Sequence, residues 1–549
     1  MSETDLNAAI EKQTEILKII ANHFSLEAEE KQELRIKRIL LRAVTLITLA
    51  AGATVGAWEI ATYVHEQWQV HSLADNYAYV SEEIYYKENN PEVALNFLDK
   101  AIELVPDNTE YRFLKAYIEG MASVRTLINL DRPYNQEEMN QAHSAMASSL
   151  LLMSSSPDSS KPYILRGQIH AALKEHDRAI EQLDKAIKLE PENDFALVRM
   201  AVVKNNQGKN SEALKYLDKA LIINPKSKWA LLWKGKIQGQ ALNKWQLARN
   251  SYNAALKIDS RFDLAYYNLA WTWLKQKPRN YEKARKNFEK SLTINPSFKE
   301  AFYGLGMVYG YQNLYVIAHT YLNKAIEIDN KFLTAWEFRA IVNDEVGKYE
   351  DALSDLNHAI ELSPNSAKLF IRRGRILEKK GDLNQAVKDL HFASNIEPNN
   401  KKVWLYLGRV FKNIGEYTKA INFYSQALNI QSSYTEAYIE RGQAYAGLKQ
   451  WDKAEGDFDR AIDVTKYRPE KAYIARGDYF AERSLYKKAV LDYKIARVKN
   501  STYSKAWFKE ARLLAKIGNK KKAVESINRY IELEPLNQEA FQFREQLMN

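Results

Sequence analysis

The chain has 549 residues, 46% hydrophobic and 27% charged, with a net charge of +10 and no cysteine. This composition excludes a disordered or low-complexity protein, and the absent thiols exclude disulfides, thiolate metal sites and cysteine nucleophiles. Length alone suggests three or four domains, a prior that fails when a chain grows by stacking one repeated unit. Taken in chain order, residues 1–38 carry Leu6, Ile10, Leu17, Ile20 and Phe24 at an a/d-like spacing interrupted by Gln13. They form an amphipathic helical segment, read either as a short coiled coil or as a helix packed on the rest of the chain. Ala43 to Trp58 is a run of sixteen uncharged residues. Extended to residues 39–64 it reaches spanning length and takes in Arg42 and Glu59 near its ends, with Trp58 and Tyr63 suited to an interface. A transmembrane helix is therefore expected over 39–64, the alternative being a buried helix against the first repeat. The run starts too deep for a cleaved signal peptide. Lys31, Arg35, Lys37, Arg38 and Arg42 precede it, and no Lys or Arg follows until after Tyr86. By the positive-inside rule this predicts a single-pass membrane protein with a cytoplasmic N-terminus and the remainder extracytoplasmic, on the periplasmic side in a bacterium. Gly52 and Gly56 form a G-x-x-x-G pair that would let two such helices pack closely, hence a homodimer. Residues 65–74 read as a connector.

From about Asp75 the sequence repeats. Ala94, Ala145, Ala179, Ala213, Ala248, Ala284, Ala318, Ala352, Ala386, Ala420, Ala454, Ala489 and Ala523 recur every 34 residues, apart from steps of 35, 36 and 51. Twelve residues after this alanine stand Pro106, Pro157, Pro191, Pro225, Pro296, Pro364, Pro398 and Pro535, eight of the thirteen prolines in the chain. Twelve residues before it, in units of standard length, stands a small residue: Gly167, Ala201, Gly306, Ala340, Gly374, Gly408, Gly442, Gly477 or Ala511. Two antiparallel helices approach closely only where small side chains meet. Proline ends the second helix because it lacks the N–H and disfavours a helical residue before it. Bulky residues at helical spacing, such as Trp404, Leu407 and Phe411, then Tyr424, give each helix an apolar stripe that only a neighbouring repeat can cover. Units start near 75, 109, 160, 194, 228, 263, 299, 333, 367, 401, 435, 470 and 504. The 109–159 unit carries about seventeen extra residues, including "DRPYNQEE" and "SSSPDSS", and is expected to have a lengthened connection. Residues 538–549 read as a polar capping helix.

Segments such as "AWEFRAIVNDEVGKYEDALSDLNHAIELSPNS" resemble the tetratricopeptide-repeat (TPR) family, through the 34-residue period and the small/Ala/Pro framework. The resemblance covers 75–537 and implies an all-α protein. Its fold would be a right-handed α-solenoid of about thirteen TPR helix–turn–helix repeats, preceded by the amphipathic helix and the transmembrane helix. It also implies that first helices line a groove that holds a protein or peptide. Carried onto this chain, the groove positions are Tyr267 and Trp271, then Tyr303 and Met307, then Arg375, Arg409 and Lys412. Rings would supply area there and arginines would take carboxylates. Some of these rings could instead pack between helices.

Motifs for chemistry are absent. The nine histidines form no H-E-x-x-H or comparable metal pair; His170 and His176 are six apart, and His358 and His391 fall in second helices. No G-x-x-x-x-G-K-[ST] or G-x-S-x-G occurs, and the glycines of "GLGMVYG" fall inside a first helix. No catalytic residue, metal or cofactor is expected, and the chain is not expected to be an enzyme. Charge gathers at the far end. Residues 470–537 hold sixteen Lys and Arg against eight Asp and Glu, a net of +8. Lys505, Lys509, Arg512, Lys516, Lys520, Lys521 and Lys522 make up much of the excess. Such a patch suits an acidic protein, anionic lipid or nucleic acid, or simply keeps the array solvated; nucleic acid is disfavoured if the array is extracytoplasmic. The leading expectation is a membrane-anchored scaffold that binds a protein or peptide partner in its groove. The alternatives are a soluble adaptor whose basic C-terminal repeats bind nucleic acid or an acidic partner, and a non-catalytic regulatory subunit of an enzyme complex.

Overall fold

The computed structural model describes residues 55–85, 91–127, 136–155, 158–465 and 468–548. The described residues are all-helical and contain no strand. Among the described residues thirteen antiparallel helix pairs follow one another in the chain, and a further helix, Gln538–Met548, comes after them. The chain divides into two compact units, one ending at Trp233 and the other starting at Lys234.

In the first unit the helix Val55–Glu83 pairs with Pro91–Leu104, and Thr109–Leu127 pairs with Gln136–Ser155. Their core gathers Tyr77, Leu98, Tyr117 and Ile118, joined by Leu165 and Ile169 of the following pair. The Tyr85 and Tyr117 rings meet edge to face, 6.1 Å apart, and the Tyr111 hydroxyl donates to Asp75. Lys161 reaches back to Glu82 at 2.7 Å, tying the third pair to the first helix. The extra residues of the 109–159 unit do not all sit in a connection. They lengthen both helices, to 19 and 20 residues, where later first and second helices have 13 and 14.

In the second unit the same pairing runs from Trp245–Ile258 to Lys520–Leu533. The recurring alanines sit at the closest approach of each pair. Across both units all are fully buried except Ala145, at 2% exposure. A Cβ added to Gly306 would lie 2.7 Å from the Leu322 side chain and 3.4 Å from the Ala318 carbonyl oxygen. A small residue at this slot, glycine here and alanine at 201, 340 and 511, lets the two helices come near. Second helices stop two residues before their proline, as at Ile294 before Pro296 and Ile396 before Pro398. From the pair Lys161–Ala172 and His176–Leu189 onward, except in the pair Asp263–Lys275 and Tyr281–Ile294, the turn between the two helices holds a left-handed residue at one fixed position, five before the alanine. Glycine supplies it at 347, 381, 415 and 518, whereas Asn313, Lys449 and Ser484 adopt it at a steric cost.

The membrane reading is overturned. Among the described residues no helix is long and apolar enough to cross a membrane. Residues 55–64, the second part of the expected span, begin the 29-residue helix Val55–Glu83, which continues through His65, Glu66, Gln67, Gln69 and His71 into the first repeat. Those polar residues follow the last four residues of the apolar run within this helix. The single-pass topology, with the array across the membrane, loses its basis, and so does the membrane role of the Gly52/Gly56 pair. Gly52, residues 39–54 and the amphipathic 1–38 segment lie outside the described residues.

Candidate functional site

Within the second unit, first helices of consecutive repeats lie side by side, so that their exposed positions share a face. Three sectors of that face differ in chemistry. The first runs over Asp263–Lys275, Lys299–Tyr311 and Leu333–Glu345 and is aromatic. Tyr267, Trp271 and Tyr303 are half-buried and form a chain of rings, with centroids 6.2 Å apart for Tyr267–Trp271 and 6.4 Å for Trp271–Tyr303. Each is backed by further rings. Tyr267 packs on Phe298 at 4.9 Å, Trp271 on the fully buried Phe288 at 5.7 Å, and Tyr303 on Phe332 at 5.7 Å and Phe338 at 6.1 Å. Burial pushes the Tyr267 hydroxyl up to about 12 and raises that of Tyr303 as well, so both stay neutral donors at neutral pH. Met307 differs: at 7% exposure it belongs to the core beneath the sector.

The second sector, over Ala367–Lys380, Lys401–Ile414 and Thr435–Gly447, is charged. Arg409 and Lys412 both bind Glu440, at 2.7 and 2.6 Å, and Lys412 also donates to Gln443 at 2.7 Å. Burial lowers the pKa of Arg409, but the Glu440 carboxylate outweighs it and leaves it raised. Arg375 stands over the Tyr406 ring, its guanidinium carbon 5.5 Å from the centroid, as does that of Arg409. Burial raises the carboxyl pKa of nearby Glu378, which accepts from Asn413 at 3.0 Å. Glu337 continues the pattern towards the aromatic sector, bound by Lys368 at 2.7 Å and Arg372 at 2.8 Å. Arg409 and Lys412 thus lie together, as their spacing predicts, but their charge is already matched from the next repeat.

The third sector is basic, formed by the first helix Ser504–Lys516 and extended by the start of its second helix, Lys520–Leu533. Lys505, Arg512, Lys516, Lys520, Lys521 and Lys522 are exposed, and Lys509 is half-buried against Asp478 at 2.8 Å.

Sequence reading missed a recurring tie. Arg339, Arg373, Arg441 and Arg476 each grip an aspartate sixteen residues on, in the second helix of the same repeat. The other arm of each guanidinium reaches the second helix of the preceding repeat, at Asn323, Asn357, Ser425 and Asp459. The aspartates are nearly inaccessible, at 3% for Asp355 and 2% for Asp492. A column of Arg and Asp in the repeat alignment is the signal that could have revealed them. The second-helix histidines pack on rings: His358 stacks on Trp336 at 4.4 Å and His391 faces Phe423 at 6.1 Å. His170 meets Glu175 at 2.7 Å. Among the described residues no cluster of three or more His, Asp or Glu could hold a metal ion.

Family models described as tetratricopeptide repeats match residues 170–237 and both 264–298 and 504–535. A model described as TPR repeat matches 408–449. These segments are tetratricopeptide repeats, and the helix pairing they show runs on through the rest of the described array. No curated relative matches the sequence. Among solved structures, yeast Tom70 is similar at 16% identity, over 80% of this chain and 96% of that one, with a TM-score of 0.44. YrrB, described as a TPR protein with an unusual peptide-binding site, is similar at 21% identity, over 34% of this chain and 96% of that one, at 0.30. The Cut9–Hcn1 hetero-tetramer of the APC/C is similar at 12% identity, over 87% and 96%, at 0.41.

Proposed function

We propose that this TPR array is a protein-binding scaffold that holds an extended peptide segment along its first-helix face, anchored in the aromatic sector. The observation that carries this reading is the chain of Tyr267, Trp271 and Tyr303, half-exposed rings fixed from behind by Phe288, Phe298 and Phe332. Rings held in place lose little side-chain entropy when a ligand covers them, so their area converts into affinity. The matched charges of the second sector leave Arg375 as the cation best placed to add an acceptor contact, since it rests on a ring and not on a carboxylate. A peptide library displayed on phage and selected against the full chain would identify ligands, whose affinities calorimetry then measures. The triple variant Tyr267→Ala/Trp271→Ala/Tyr303→Ala is expected to weaken the best of them at least tenfold. Loss of less than twofold, with the fold intact, would place the binding surface elsewhere.

A further inference from the structure

A cleft of about 560 Å³ opens between the last first helix, Ser504–Lys516, and the closing helix, Gln538–Met548. That volume falls within the range of about 300–1,000 Å³ typical of ligand pockets. Phe508, Leu513 and Phe543 form its apolar side, and Lys509, Arg512 and Lys516 its polar side. The three cations are not equivalent. Lys509 is spoken for by Asp478, which also accepts from the Tyr493 hydroxyl at 2.7 Å. Arg512 and Lys516 have no carboxylate partner among the described residues. Arg512 lies over the Phe508 ring at 5.7 Å and Lys516 over the Tyr486 ring at 5.0 Å. An exposed cation–ring contact is weak, so both charges stay available to an anion. In the Glu440 sector, by contrast, a built-in carboxylate takes up Arg409 and Lys412. The surroundings reinforce the bias, with a net of +8 over residues 470–537.

We propose that this cleft binds an acidic peptide segment, placing one aromatic or large aliphatic side chain against the apolar wall of Phe508 and Phe543 and its carboxylates on Arg512 and Lys516. A nucleic acid fits less well. The Phe508 ring is covered by Tyr530 at 4.8 Å and by Arg512, and Phe543 meets it edge-on at 6.4 Å. These neighbours leave the Phe508 ring poorly placed to stack a base. The site is separate from the aromatic sector, so the proposal stands or falls independently of the groove reading.

The test uses the full chain and a fluorescein-labelled hexapeptide, Asp-Glu-Phe-Glu-Asp-Glu, read by fluorescence anisotropy. Saturable binding is expected. Arg512→Glu/Lys516→Glu, two exposed positions, should raise Kd at least tenfold without moving the thermal melt. Replacing the peptide phenylalanine by alanine should raise it at least threefold, and Tyr267→Ala/Trp271→Ala/Tyr303→Ala should leave it within twofold. The proposal is overturned if the hexapeptide fails to bind at 1 mM, or if the charge reversal or the alanine peptide changes Kd less than twofold. Tighter binding of a dodecamer of thymidylate, lost in the same double variant, would overturn it in favour of nucleic acid. Loss of hexapeptide binding in the triple alanine variant would assign the peptide to the groove instead.

Discussion

Two adjacent repeats fill the same slots by different chemistry. In the pair Thr435–Gly447 and Trp451–Val464, Arg441 grips Asp457 with two hydrogen bonds, at 2.7 and 2.8 Å, and Ser425 of the preceding repeat at 2.9 Å. In the pair Lys401–Ile414 and Tyr417–Ile430 the equivalent positions hold Leu407 and Phe423, with Trp404 and Phe411 stacked on Phe423. Both pairs keep a glycine at the close approach, Gly408 and Gly442, whichever solution is used. The strap therefore adds specificity of register, while burial and close packing hold the pair together.

The largest expected effect comes from breaking the charged solution on one side only. Asp457→Ala leaves the Arg441 guanidinium in a site with 19% of its side chain exposed and should cost about 3 kcal/mol of local stability. Replacing both partners by leucine should cost less than about 1 kcal/mol, as Leu407 does in the neighbouring repeat. Because arrays open locally, hydrogen exchange resolved to peptides of 435–464 is the suitable measurement. Equal losses in the two variants would refute the view that the two solutions are interchangeable.

Next come the glycines. A Cβ at Gly408 would lie 2.4 Å from the ring of Tyr424, which is fully buried, whereas at Gly442 it would lie 3.2 Å from Phe458. Gly408→Ala should cost about 1–3 kcal/mol from overpacking, whereas in Gly442→Ala the helix-propensity gain of about 1 kcal/mol should offset the tighter contact. A smaller effect of opposite sign is expected at the turn. Lys449 has φ 57° where Gly415 has φ 94°. Lys449→Gly should stabilise its repeat by about 1 kcal/mol, and Gly415→Ala should destabilise its own by a similar amount. Thermal melts of both variants check the pair.

The smallest effect is a pH dependence. Burial raises the Glu378 pKa above the usual carboxylate value, against the pull of Arg409. The folded state therefore holds this proton more tightly than the unfolded state. Ionised Glu378 costs stability as pH rises through the raised pKa, and costs nothing below the unfolded value. Glu378→Gln should thus raise the melting temperature at pH 7 and leave it unchanged near pH 3. An increase of the same size at both pH values would show that the gain is not electrostatic.

Much of the architecture was legible from residue columns. The alanine, glycine and proline positions mark the close approach and the end of each helix pair, both local consequences of side-chain size and a missing N–H. The left-handed turn was equally readable, since Gly347, Gly381, Gly415 and Gly518 stand five before the alanine, but Asn313, Lys449 and Ser484 hide the pattern in other repeats. The straps were harder to see because Arg441 and Asp457 are sixteen residues apart and resemble ordinary surface charges in sequence. In the aromatic sector, spacing placed Tyr303 and Met307 on one helix face without telling that one stays half-exposed and the other enters the core.

By itself the sequence determined the unit, its period and where its helices stop, because each of these depends on residues within one repeat. The tertiary structure alone decided what the charges and rings do, since that depends on the next repeat along. Glu440 matches Arg409 and Lys412, whereas Arg512 and Lys516 find only rings. The apolar run near the N-terminus follows the same rule. Its last residues read as part of a membrane span when taken alone, and belong to a helix with polar residues that leads into the first repeat once the fold is known. A charge or an apolar face has its effect through what lies against it, and in a stacked array that neighbour stands tens of residues away in the chain.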